Sequence, residues 1–145
     1  MQKHRIWDND LKIYGYFPNE DGKVAIDDFR GMTNVYEISR ILTNPERYIV
    51  ECFSGWLDRE GNEVYEGDIM GIPYIDPMGN IHPDNIEKKA IVIFSKGVLG
   101  VDMGDATTPL LLWGQILEEI YVPNYGNKKI YSNKLHLKKI TNSHF

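Results

Sequence analysis

The chain has 145 residues, 42% of them hydrophobic, and a net charge of −5. That length suits one domain with its own core, and mild acidity without acidic runs argues for ordinary solubility and against a general nucleic-acid binder. Nine tyrosines against only three alanines, Ala25, Ala90 and Ala106, lean towards strands, because aromatic and β-branched side chains fit a pleated surface.

In chain order, Lys3–Trp7 and Leu11–Phe17 read as two short strands joined by Asp8-Asn9-Asp10, residues that bond nearby backbone and tolerate left-handed φ. A turn at 18–23 and a short strand at 24–29 follow. Asn34 can cap a helix to Leu42, with Val35, Ile38 and Leu42 on one face and Asn44-Pro45 as its stop. Arg47–Phe53 is a strand with Tyr48, Val50 and Cys52 on one face and Ile49 and Phe53 on the other. Asp58–Asn62 is a hairpin turn, Glu63–Glu66 is extended, and Asp68–Tyr74 is the next strand. Residues 76–88, with Pro77, Gly79 and Pro83, read as a polar loop. Ala90–Phe94 and Val98–Met103 form a hairpin about Ser95-Lys96-Gly97. Thr108 and Pro109 open a helix to about Ile120 that offers Leu110, Trp113, Leu117 and Ile120 to the core, although Gly114 lowers its propensity by about 1 kcal/mol. Pro123–Asn127 is a loop, and Lys128–Ile140 is one or two last strands.

The expected fold is mainly β (a β-rich α+β): a small, partly open SH3-like barrel or a strongly bent antiparallel sheet, with one or two short helices. One domain over 1–145 is expected, with an N-terminal subdomain at 1–46 packed on a barrel-like part at 47–145 as the alternative division. Cys52 stands alone, which fits a cytosolic compartment. The charges of Met1–Trp7 lack the apolar stretch of a secretory signal. The longest apolar run, Pro109–Trp113, is far too short to span a membrane.

The segment Phe53-Ser54-Gly55-Trp56-Leu57-Asp58-Arg59-Glu60-Gly61-Asn62-Glu63-Val64-Tyr65-Glu66-Gly67-Asp68-Ile69 resembles the signature of the YopX family of phage and prophage proteins, in its Gly-hydrophobic-Leu-Asp turn and its Tyr-Glu-Gly-Asp-Ile run. The opening Lys3-His4-Arg5-Ile6-Trp7-Asp8 is similar to the family's Arg-x-Trp-Asp. The resemblance implies a phage or prophage origin, a bacterial cytoplasm as location and a β-dominated fold, and it implies no reaction. The residues agree with a structural reading: Gly61, Gly67 and Gly97 supply bends, and the Asp68 carboxylate accepts turn N–H groups.

Catalytic chemistry finds little footing, and no enzyme or cofactor is expected. His4, His82, His136 and His144 are scattered and lack metal-ligand spacing. Asp58, Glu60, Glu66, Asp68, Asp102 and Asp105 could in principle gather round a divalent cation or serve as acid and base, but most sit at turns. Ser54 and Ser95 lack a nucleophile-elbow context, and Cys52 reads as a small core hydrophobe. Two binding ideas remain. Trp7, Trp56 and Tyr65 are candidates for a protein interface or a homo-oligomer. Lys128, Lys129, Lys134, His136, Lys138 and Lys139, interleaved with Tyr125 and Tyr131, could track a phosphate backbone; the plainer reading is an outer strand whose lysines protect a sheet edge.

Overall fold

The computed structural model describes residues 3–17, 23 and 43–144. The expected turn at 18–23, apart from Lys23, and the expected strand at 24–29 and helix at 34–42 lie outside the described residues. The chain divides into two compact units, Met1–Phe53 and Ser54–Phe145. The described residues are mainly β, with eleven strands, one turn of 3-10 helix and no closed barrel.

The first unit holds β1 (His4–Asp8), β2 (Ile13–Phe17) and the start of β3 (Tyr48–Leu57). β1 lies between the other two, antiparallel to both, with Arg5 opposite Tyr16 on one side and Glu51 on the other. The β1–β2 turn forms because Asp8 Oδ1 accepts the N–H groups of Asp10 and Leu11, while Lys12 takes a positive φ of 56°. Arg47 forks onto the same carboxylate, donating from Nε to Oδ1 and from Nη2 to Oδ2, each at 3.0 Å. Along β3, Tyr48 and Glu51 are buried while Ile49 and Val50 are exposed, so strict apolar alternation does not hold there.

In the second unit, β4 (Glu63–Tyr65) returns on the end of β3 through the Asp58–Asn62 turn. A five-stranded antiparallel sheet follows in the order β11 (Lys138–Asn142), β5 (Asp68–Ile75), β6 (Ile81–Ser95), β7 (Val98–Asp102), β8 (Thr107–Pro109). Val64, Met70, Ile72, Ala90, Val92, Val101, Leu110, Trp113, Leu135 and Leu137 make its core, with Trp56, Leu99 and Met103 packed on the flank.

Two elements differ from expectation. The polar stretch 76–88 is not a loop: a tight turn at Asp76–Asn80 leads straight into β6. Pro73 has no N–H to give the ladder, and the β5–β6 register shifts on both sides of it, from Ile72↔Lys88 to Pro73↔Ile86 to Tyr74↔His82. Pro83, Asp84 and Asn85 therefore bulge from a strand. The expected helix from Thr108 to Ile120 is β8, a 3-10 turn at Leu110–Trp113, and β9 (Gly114–Val122). β9 pairs antiparallel with β10 (Gly126–Leu135). Residues 116–122 are rich in Ile, Tyr and Val, and a turn with positive φ at Asn124 and Gly126 lets them meet a partner strand, which outweighs helical spacing.

Gly100 is required by close packing. A Cβ there would stand 2.5 Å from the Thr108 carbonyl oxygen and 2.8 Å from Thr107 Cγ2. Gly100→Ala must push β8 off β7. We expect a loss of about 1–3 kcal/mol in denaturant unfolding, and an unchanged midpoint would contradict this packing.

Candidate interaction surface

The residues of the Phe53–Ile69 signature turn inwards. Asp58 is buried and accepts four hydrogen bonds: at Oδ1 from Glu60 N (3.0 Å) and Asn62 N (2.8 Å), and at Oδ2 from Asn62 Nδ2 (3.3 Å) and Lys139 N (3.0 Å). Gly61 and Gly67 adopt φ of 91° and 90°. Gly67 donates to Val92 O and accepts from Ser143 N, each at 2.8 Å. Asp68 is buried, accepts Tyr65 N at 2.7 Å and lies 3.2 Å from Lys139 Nζ. Gly97 turns the β6–β7 hairpin at φ 83°.

The remaining acids do not converge. Glu60 faces Lys138 at 3.5 Å, Asp102 accepts Gly104 N, and Glu66 and Asp105 sit in separate turns. Among the described residues, no three His, Cys, Asp or Glu side chains are placed to hold a metal ion. His82 bonds Asp76 on the β5–β6 turn at 2.8 Å. His136 lines a polar hollow of about 520 Å³ with Arg59, Glu60, Pro83, Asp84 and Gln115. Burial pushes its imidazole pKa down from the ordinary 6.5, which favours the neutral ring. Arg59 in that hollow already bonds the Pro83 carbonyl and reaches Asp84.

The basic C-terminal residues separate rather than form one stripe. The chain breaks between β10 and β11 at His136, whose N–H donates to Trp113 O at 2.8 Å. Leu135 and Leu137 go into the core on either side. Lys138 and Lys139 turn towards Glu60 and Asp68. Lys129 stands across from Glu119, Lys128 lies over the Tyr125 ring, and Lys134 is exposed beside Leu57.

Two of the three aromatic interface candidates are interior. Trp7 is 2% exposed and Tyr65 3%, so neither meets a partner on the folded surface. Trp56 is partly buried and edge-on to Tyr131, with ring centroids 6.3 Å apart.

Exposed apolar groups stand elsewhere in the second unit. A groove of about 340 Å³ is lined by Trp56, Phe94, Val98, Leu99, Pro109 and Leu111, of which Phe94 is 62% exposed. Leu112 beside it is 71% exposed. Along β9, Ile116, Leu117, Ile120 and Tyr121 are all exposed, Leu117 and Tyr121 by about 70%, and Tyr125 and Ile130 continue the row on the turn and β10. The helical reading of 108–120 hid these positions. The signal that would have found them is the Asn-Tyr-Gly turn between two runs of Ile and Tyr.

No family model matches the chain, and no curated protein matches it. No helix among the described residues is long and apolar enough to cross a membrane.

Proposed function

We propose that the protein is a non-catalytic interaction module that works by protein–protein contact through the apolar surface of its second unit. The carrying observation is the concentration of exposed large apolar side chains in the Phe94–Val98–Leu111 groove and along β9. Singly scattered apolar residues are normal on a surface, whereas runs of this kind mark interaction sites. The likeness of Phe53–Ile69 to the YopX signature supports an accessory role in a phage or prophage setting, in the bacterial cytoplasm. Tagged protein purified from a phage-carrying host should retain a defined partner that rebinds when both are pure. A variant carrying Phe94→Ser, Leu111→Ser and Leu112→Ser should lose that partner without a fall in melting temperature. Full retention by the variant would refute the reading.

Nucleic-acid binding by Lys128–Lys139 is the second reading, and the Lys128–Tyr125 stack favours it. The engagement of Lys138 and Lys139 with acids weighs against it. A single-stranded oligonucleotide should therefore bind weakly, with little change on Lys134→Glu plus Lys138→Glu.

A further inference from the structure

Among the described residues, β9 is the end strand of its sheet, with β10 as its one strand neighbour. Among those residues β10 in turn meets β3 at the Lys134–Leu57 bridge alone. From Glu118 to Val122 and from Gly126 to Ile130, the two strands therefore form a two-stranded ribbon, exposed on both faces apart from the partly covered Val122 and Gly126. A lone ribbon in water is marginal, because stability needs a third strand or a packed face. Proteins also blunt sheet edges, most often with lysine or proline. Here the blunting is one-sided. Lys128 and Lys129 sit on β10, while β9 carries no lysine, arginine or proline. Its two charges are set against β10, Glu119 opposite Lys129 and Glu118 opposite Ile130.

We infer that the outer edge of β9 is a homodimer interface, where β9 of a second copy pairs antiparallel to give a four-stranded sheet with the lysine-bearing β10 strands outermost. The inference rests on the reading of the protein as an interaction module and names its partner. Charge selects both the partner and the register. Pairing centred on Ile120 sets Glu119 against Tyr121 and Glu118 against Val122, so no acid faces an acid. A two-fold axis uses the same strand twice and closes the assembly, because the outer lysines discourage further strands.

The test is the mass of the full chain by sedimentation and light scattering as concentration rises. A dimer is expected. Ile120→Lys should weaken it about 30-fold or more, the scale of an interface hot spot, while Met78→Ser, an exposed change on the β5–β6 turn and off the β9 edge, leaves it intact. Both side chains are exposed, and an unchanged melting temperature guards against misfolding. Hydrogen exchange at the β9 amides should slow with concentration in the native chain alone. A native chain that stays monomeric, a dimer indifferent to Ile120→Lys, or one equally broken by Met78→Ser would each overturn the inference. The wider reading survives those results if the host partner is still bound, so the two can fail separately.

Discussion

Glu51→Ala should cost the Met1–Phe53 unit about 3–5 kcal/mol, the range for breaking a buried ion pair from one side. Arg5 and Glu51 face each other across β1 and β3, with Nε and Oε1 2.9 Å apart and side chains 1% and 5% exposed. The Tyr14 hydroxyl donates to the same oxygen at 2.8 Å, and its ring lies 4.4 Å below the Arg5 guanidinium. Truncating Glu51 leaves the guanidinium out of water without this carboxylate and removes the acceptor for Tyr14. Glu51→Gln keeps an oxygen for both donors and should cost less. Arg5→Met with Glu51→Leu removes both charges and should cost less than Glu51→Ala alone, because a buried pair gains little over packed apolar groups. Hydrogen exchange of the β1 amides reads the effect on this unit. A loss below about 1 kcal/mol for Glu51→Ala would mean that water reaches the pair and screens it.

That buried pair also marks a limit of the sequence. Alternation along 47–53 placed Tyr48, Val50 and Cys52 on one face and passed over Glu51. Yet Val50 is exposed and Glu51 buried, because Arg5 and Tyr14 supply its partners from other strands. A charge is legible as interior only once its counter-charge is placed beside it. Trp7 and Tyr65 show the converse. Residue type alone suits them to an interface, but their neighbours cover them.

The hairpins were more legible, because local chemistry decides them. Asp8 and Asp58 each accept an N–H two residues on, which fixes the turns at 8–12 and 58–62; Asp76 does the same at 76–80, where a loop over 76–88 was expected. Leu135 and Leu137 are buried on either side of the break at His136, while Lys134 is exposed. The segment 108–120 was ambiguous at short range. Leu110 and Trp113 satisfy helical spacing and are buried, but Leu117 and Ile120 are exposed on a strand. A period-3.6 match over four apolar positions cannot outvote a partner strand that begins after the window ends. The interaction edge was thus invisible for the same reason that the helix was expected.

Asp58 carries the other large effect. Its partners come from its own turn and from Lys139, 81 positions away, so one carboxylate ties the β3–β4 hairpin to the start of β11. Asp58→Ala takes a buried acceptor away from three backbone N–H groups and the Asn62 amide, all in part-buried bonds, and we expect a loss of about 2–3 kcal/mol from the Ser54–Phe145 unit. Asp58→Asn is nearly isosteric but turns an acceptor into a donor facing donors, so it should recover little. The pH dependence has a definite sign. Burial alone would raise the Asp58 pKa, but the bonds from Lys139, Asn62 and Glu60 together outweigh it and hold the group below its ordinary 3.8. A carboxylate with a depressed folded-state pKa contributes its full stability above the unfolded value and loses it as pH falls through the folded one. Asp8 behaves alike in the first unit: burial raises its pKa, and the Arg47 and backbone bonds more than offset that. Stability should therefore decline gently below about 6.5, as the unfolded chain's His136 takes up a proton that burial disfavours in the fold, and then fall steeply below about 4. In Asp58→Asn the acid slope of the second unit should be shallower, because one fewer carboxylate binds a proton on unfolding. A variant with the native slope would show that the Asp58 carboxylate is solvated and that the hairpin and β11 are held together by apolar packing alone.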